Sequence, residues 1–495
     1  MRKSGVLLHI SSLPSPYGIG TMGKEAYKFI DFLNKAGQSY WQILPICPTS
    51  YGDSPYQTFC TFAGNPYFID LDMLKSDGLL KKSEYAGINW GAKADCVDYG
   101  LIYANRFNVL RKAAERFSLH DQTAFNEFCE QNFYWINDYA MFMTLKDMHG
   151  GASFYEWESR YITREENALA DLNITHKDDI YFWKFLQYYF YKQWAELKDY
   201  ANSKNVEIIG DIPIYVALDS SDVWADPKLF QLQDDLRPRS VAGCPPDGFS
   251  ADGQLWGNPL YDWEYHKQDG YKWWIHRISY MCEVYDVLRI DHFRGFDSYY
   301  SIPYGDTTAK NGHWEQGPGI ELYKMLEQQK GRKRIIAEDL GFLTDSVKQM
   351  LKESGFPGMK VLEFAFDSRD SATNDYLPHN YITNCIAYIG THDNDTVMGW
   401  LKSADKNDIA NAKEYLCLKD PANYNWDFMK ALWATIADTT IVQAQDILGL
   451  GSKYRMNTPS TFGNNWTFRL LPGQLNGTIA NKMMKYMKMY GRKAN

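Results

Sequence analysis

The chain has 495 residues, a formal net charge of -9, and 45% apolar against 23% charged residues. That balance describes a globular protein with a substantial core and excludes a disordered chain, while the acidic charge argues against nucleic acid, whose binding needs clustered Lys and Arg. No apolar run approaches the roughly 18 residues that span a bilayer, and the N-terminal run is too short for a signal core, so a cytoplasmic protein with no membrane partner is expected.

Taken in chain order, eight short apolar runs read as strands: Val6 to Ile10, Trp41 to Leu44, Val206 to Asp211, Val287 to Ile290, Arg334 to Ala337, Lys360 to Phe366, Cys385 to Ile389 and Ile441 to Ile447. Most lack alternation of polar and apolar residues, the pattern of strands buried on both faces of a parallel sheet. Segments between them, such as Glu25 to Lys35 and Ile180 to Tyr200, carry helical spacing. The aromatic stripe Phe182, Phe185 and Tyr189 within the second of these faces a core. Eight strands alternating with helices imply a (β/α)8 TIM barrel, an α/β fold that exceeds 400 residues when its loops are elaborated.

One catalytic barrel domain over 1–495 is therefore expected. The long gap between the second and third strands predicts a mostly helical insertion over 71–200. A second insertion over 215–263, rich in Pro, Gly, Asp and Trp, reads as an ordered loop over the site. The eight cysteines show no CxxC spacing, so neither a zinc site nor a disulfide framework is indicated. Gly18-Ile19-Gly20 lacks the context of a phosphate loop, and no cofactor is expected. Aromatic residues make up 16% of the chain; most belong to the core, but such rings also cover the C–H faces of sugars.

Four acids close apolar runs: Asp211, Asp291, Glu338 and Asp393, on the third, fourth, fifth and seventh strands. In a barrel, the C-terminal strand ends and the loops after them build the active site. Arg289 lies two residues before Asp291 and on a strand points to the same side, setting an opposite charge beside it as a nucleophile needs. Glu338 follows Ile335-Ile336-Ala337, and an apolar approach shared with other acids raises a carboxyl's pKa, as a general acid needs. Asp393 sits between His392 and Asn394, whose donors can orient it. Two carboxyls of unlike pKa either side of a glycosidic bond are the minimal equipment to cleave it. A divalent-cation site is the competing reading, since His292 and His392 adjoin two of the acids. No His-x-His or HExxH spacing supports it, so no metal is expected.

The runs GDIPIYV, VLRIDHFRGF, AEDLG and GTHDND resemble the four signature regions of the α-amylase superfamily, in the form carried by the 4-α-glucanotransferases called amylomaltases or disproportionating enzymes. The resemblance extends to LLHISSLPSPYGIGTMG, SPYQTFCTFAGNPYFIDL, GCPPDGFSADGQLWGNPLYDW, RMNTPST and NNWTFR, and is weakest from Lys75 to Asp178. It implies Asp291 as nucleophile, Glu338 as acid/base and Asp393 as transition-state stabiliser in a retaining double displacement. It places Ser54, Tyr56, Asp211, Arg289, His292 and His392 on sugar, and Gln254, Trp256 and Asn258 in a loop over the donor subsites. Asp367, Asn464 and Asn465 are further contacts; the family motif reads Gly-Asn-Trp, whereas Gly463 here precedes two asparagines, and either can take that role.

The implied partners are malto-oligosaccharides and starch- or glycogen-type α-1,4-glucans, with a monomer or weak homodimer as the acting unit. The family lacks the C-terminal β-sandwich of amylases, and only a short tail follows the eighth run. Two rivals remain. An amylase-type hydrolase would release only shorter sugars, and a silent glucan-binding barrel would have lost an acid that is present here.

Overall fold

Every second residue of the eight apolar runs turns into one shared interior. The computed structural model, which describes residues 2–49, 52–246, 250–341, 343–370, 372–461 and 463–493, arranges them as parallel strands. These are β1 (Lys3–Leu7), β2 (Tyr40–Gln42), β3 (Glu207–Ile212), β4 (Val287–Ile290), β5 (Ile335–Ala337), β6 (Gly358–Val361), β7 (Cys385–Tyr388) and β8 (Thr439–Gln443). Hydrogen-bonded neighbours run β6-β7-β8-β1-β2-β3-β4-β5. Between β5 and β6 no ladder forms; there the Ala337 N–H donates to the Pro357 carbonyl at 3.0 Å. The sheet is a nearly closed (β/α)8 barrel, as the strand count predicts.

Side chains alternate between the faces of a strand, and here both faces are buried. Leu7, Tyr40, Ile209, Val287, Ile336, Met359, Ile386 and Ile441, one from each strand, form a single apolar cluster. Their neighbours Val6, Trp41, Ile208, Leu288, Ile335, Ala387 and Val442 join the cluster that includes the helices. Two residues further along, the inward period reaches His9, Gln42, Asp211, Arg289, Glu338 and Gln443. The interior therefore changes from apolar to polar at the C-terminal strand ends, where barrel sites are built.

Two strand ends differ most from the sequence reading. β6 stops at Val361, and Leu362–Phe366 is a 3-10 turn in which Leu362, Ala365 and Phe366 are buried but Phe364 is exposed, a helical rather than an extended pattern. β8 stops at Gln443, and Ala444–Ile447 is a short helix. Apolar content alone does not distinguish the two conformations in such short runs.

Between β2 and β3 lie the helices Tyr99–Phe117, Thr123–Gln131, Phe133–Met148 and Lys177–Ser203, with shorter ones among them. The last of these packs on Phe133–Met148 and reaches β3, burying Phe182, Phe185, Tyr189 and Leu197. The stretch read as a loop over the site folds further than expected. Ser240–Cys244 and Gln254–Pro259 after β3 join Ser298–Pro303 and His313–Gln316 after β4 in a four-stranded antiparallel sheet. Close approach at Gly243 makes this possible, because a Cβ there would stand 2.2 Å from the Gln254 carbonyl oxygen. Residues 247–249 of that stretch lie outside the described residues. Among the described residues, no helix is long and apolar enough to cross a membrane.

Candidate active site

The polar layer above the barrel core is organised by Arg289. Its Nη1 lies 2.6 Å from Oδ2 of Asp211 and 3.0 Å from Oδ1 of Asp291. Register explains the meeting: β3 and β4 pair with Asp211 opposite Arg289, and Asp291 stands two residues further along β4's direction. Arg289 and Asp211 are buried, whereas Asp291 opens to the cleft. Burial works against the guanidinium's charge, but Asp211 and Asp291 more than offset it, holding its pKa well above the ordinary value.

Glu338 leaves β5 beside Asp291. Its Oε2 accepts from the His292 N–H at 2.7 Å and its Oε1 from the Leu340 N–H at 2.8 Å. His292 makes the first bond from a left-handed backbone at φ +48°. Burial, then the negative charge of Asp291, push the Glu338 carboxyl up from 4.5 to about 7, against the pull of Arg289. A group poised there holds a proton at neutral pH and can also surrender it.

Asp393 is the most exposed of the three cleft acids. The sequence reading looks to its neighbours for orientation, but Asn394 is occupied elsewhere, its Oδ1 accepting from the Thr391 N–H and hydroxyl. The donor is Asn457, whose Nδ2 reaches Oδ1 of Asp393 at 2.7 Å. His392 Nε2 stands 3.4 Å from Oδ2, and Arg455 donates to the Asp393 carbonyl at 2.8 Å.

Aromatic rings wall this cleft. Tyr56 stacks on His392 at 4.9 Å and 18°, donates to Oδ2 of Asp211 at 2.7 Å, and has Trp466 at 6.0 Å. Across the cleft, Trp256 stands edge-on to His292 at 4.9 Å and donates to Oε1 of Gln254 at 3.1 Å. Burial lowers the His292 pKa to about 4 and lowers that of His392 too, leaving both rings neutral. Ser54 Oγ accepts from the Tyr56 N–H at 3.2 Å, and buried Asn258 donates to the Val216 carbonyl at 2.7 Å. The cavity holds about 500 Å³ and is lined by Ser54, Tyr56, Gln254, Trp256, Asn258, Asp291, His392 and Asp393, among others.

Three sequence-derived candidates stand apart. Asp367 is clamped by Arg369, with Oδ1 2.8 Å from Nε and Oδ2 2.5 Å from Nη2, and does not line the cleft. The cause is the early end of β6, which puts Asp367 beyond a 3-10 turn. Asn464, exposed and at φ +57°, also stays outside the lining. Asn465 braces the neighbouring loop, accepting from the Thr458 N–H at 3.0 Å and donating to the Thr461 carbonyl at 3.0 Å. Conversely, the sequence reading omits Gln57, Tyr215, Asn457 and Trp466, all of which line the cavity. Asn457 and Trp466 sit within the runs RMNTPST and NNWTFR, where the signal lay.

Among the described residues, no three His, Cys, Asp or Glu side chains are arranged to hold one metal ion. The arrangement combines a carboxylate beside a guanidinium, a carboxyl that titrates near neutrality, and a third acid facing a ring-walled cleft. It is suited to acid-assisted displacement at a sugar carbon.

Residues 8–474 match the family model described as 4-alpha-glucanotransferase. A 4-alpha-glucanotransferase of Clostridium butyricum is 49% identical over 487 residues, covering 98% of this chain and 100% of that protein. Another, from Thermus thermophilus, is 43% identical over 485 residues, 96% of each chain. The solved amylomaltase from Streptococcus agalactiae in complex with acarbose superposes with a TM-score of 0.97 at 42% identity, over 100% of both chains.

Proposed function

This chain belongs to the 4-alpha-glucanotransferase family, and from that membership we propose that it transfers α-1,4-glucan segments between malto-oligosaccharides by a retaining double displacement. Asp291 attacks the anomeric carbon while Glu338 passes its proton to the departing glycosidic oxygen, leaving a glucosyl-enzyme ester and a shortened glucan. Asp393, oriented by Asn457, faces the oxocarbenium-like transition state. Glu338, now ionised, takes the proton of an incoming 4-hydroxyl as that oxygen displaces Asp291, so a new α-1,4 bond forms and Glu338 is protonated again.

The observation that carries this reading is the unlike setting of two adjacent acids. Arg289 stands 3.0 Å from Asp291, whereas burial and the charge of Asp291 raise Glu338 to about 7. One acid is equipped to attack and the other to carry a proton. The Trp256 strand supports transfer over hydrolysis: a lid that sheds water while sugar fills the acceptor position favours the sugar hydroxyl.

Incubation with maltotriose tests the reading. A transferase yields glucose together with a ladder of chains longer than maltotriose; products shorter than maltotriose alone would identify a hydrolase.

A further inference from the structure

Three residues at the rim of the cleft close a ring of hydrogen bonds. Asn457 Nδ2 donates to Oδ1 of Asp393 at 2.7 Å, Arg455 Nη2 to the Asp393 carbonyl at 2.8 Å, and Arg455 Nε to the Asn457 carbonyl at 2.8 Å. Asp393 is thus held twice, by its side chain and by its backbone, and both holds lead back to Arg455.

The chemistry of that side chain suits the task. A guanidinium is planar and its N–H donors point in fixed directions, so two donors on one fork set the separation of the carbonyls they meet. Here the two carbonyls belong to different loops, one after β7 and one after β8. The rival role is that of a counter-charge to the buried carboxyl of Glu363. Burial, then the charges of Asp446 and Asp395, raise the Glu363 pKa well above 4.5 against the pull of Arg455, so that acid is held toward its neutral form and asks for little counter-charge.

The remainder of the turn over 391–397 does not depend on Arg455. Gln443 Nε2 donates to the Thr391 carbonyl at 2.9 Å, Ser452 Oγ to Oδ2 of Asp395 at 2.6 Å, and the Val397 N–H to Oδ1 of Asp446 at 2.8 Å. These bonds tie both ends of the turn to the end of β8 and the segment after it. At the crest, beyond local contacts with Thr391 and His392, Asp393 is held by Asn457 and Arg455. Asp393 and Asn457 line the cavity, whereas Arg455 stands behind them, outside the lining.

We propose that Arg455 is a positioning residue for glucan transfer, which sets the aim of Asp393 by fixing the loop after β7 against the loop after β8. The inference rests on the reading above that Asp393 faces the transition state. A group that aims an acid without meeting sugar acts on kcat and leaves KM alone.

The test uses the full-length Arg455→Ala and Arg455→Lys enzymes on maltotriose. In Arg455→Ala, kcat falls about 10- to 100-fold and KM stays within about twofold of the wild type. Lysine keeps the charge but offers one donor atom in place of a fork, so Arg455→Lys loses at least about fivefold in kcat. Guanidinium added at millimolar concentration restores part of the kcat of Arg455→Ala, whereas methylammonium does not; a general loss of packing would respond to neither. The double variant Arg455→Ala/Asn457→Ala falls no more than about threefold below the worse single variant, because either loss frees the same carboxylate. Wild-type kcat in either single variant, a raised KM with kcat retained, equal rescue by both cations or by neither, or losses that multiply in the double variant overturn the proposal. If Arg455→Ala fails to fold, Arg455→Lys, which keeps the apolar stem, decides the matter by its kcat and KM. Wild-type transfer by Asp393→Ala would sink the parent reading instead, so the two failures are distinct.

Discussion

Asn457 donates its side-chain amide to Oδ1 of Asp393 at 2.7 Å, joining the loop after β8 to the loop after β7. The bond fixes the rotation of a carboxylate that otherwise faces solvent, and rotation decides whether that oxygen meets the sugar. A hydrogen bond to a charged group contributes about 1.5–3 kcal/mol. Asn457→Ala is accordingly expected to lower kcat on maltotriose about 10- to 100-fold with KM changed by less than about threefold. A variant that loses KM and keeps kcat would make Asn457 a sugar-binding residue rather than one that positions Asp393.

In the proposed mechanism Glu338 gives the reaction its alkaline limb. Its carboxyl titrates near 7, and the first step uses the protonated form, so kcat/KM should fall tenfold per unit as pH rises past about 7. Stability follows the same proton. The folded pKa exceeds the usual 4.5, so the folded state binds the proton more tightly; that contribution is full below about 4.5 and is lost as pH rises through about 7. Chemical denaturation between pH 4 and 8 should show the wild type losing about 1–3 kcal/mol relative to Glu338→Gln over that window. Parallel curves for the two proteins would show that Glu338 titrates as an ordinary carboxyl.

Removing Asp291, the nucleophile of the proposed mechanism, should separate binding from chemistry. Asp291→Ala should reduce maltotriose transfer by at least about 10³-fold while maltoheptaose still binds, as followed by calorimetry. A substrate-bound crystal structure of the Glu338→Gln enzyme should place the carboxyl of Asp291 about 5–5.5 Å from the side-chain amide introduced at that position, the spacing of retaining enzymes. A separation near 9 Å would instead leave room for water and imply inversion.

Trp256 is expected to govern the competition between water and sugar. Its ring meets His292 edge-on at 4.9 Å, and Trp256→Ala opens the cleft at that point. The ratio of reducing ends released to chains transferred should rise about tenfold, with total glycosidic turnover lowered less than that. An unchanged ratio would move the exclusion of water to another part of the cleft.

The barrel and its acids were legible in the sequence because a strand buried on both faces has few ways to look polar. Runs such as Val287 to Ile290 announce themselves, and an acid closing such a run stands at the mouth of the barrel. The antiparallel sheet over the cleft was not legible. Its strands are short and interrupted by Gly243 and Gly257, and Ser240–Cys244 is held between Gln254–Pro259 and Ser298–Pro303, the latter from after the next barrel strand. Asp367 stands outside the cavity lining for a related reason. Leu362–Phe366 is apolar enough for a strand, yet its partners require a turn of helix, so the acid following it points elsewhere. Asn457 escaped notice because its meaning depends on Asp393, 64 positions away in the chain, and no local pattern records such a meeting.

The joint between β5 and β6 has a consequence for how the barrel breathes. One backbone bond, from Ala337 to the Pro357 carbonyl, and one from the Met359 N–H to the Asp339 carboxylate take the place of the ladders found between other neighbours, so amide exchange without global unfolding should begin there. Asp291 follows β4 and Glu338 follows β5, and the ladder between those strands is continuous from Leu288 opposite Ile335 to Ile290 opposite Ala337. Such an opening leaves Asp291 and Glu338 on one rigid flank. Asp393, beyond β7, lies on the other flank, and is the member of the trio that drifts when the seam parts.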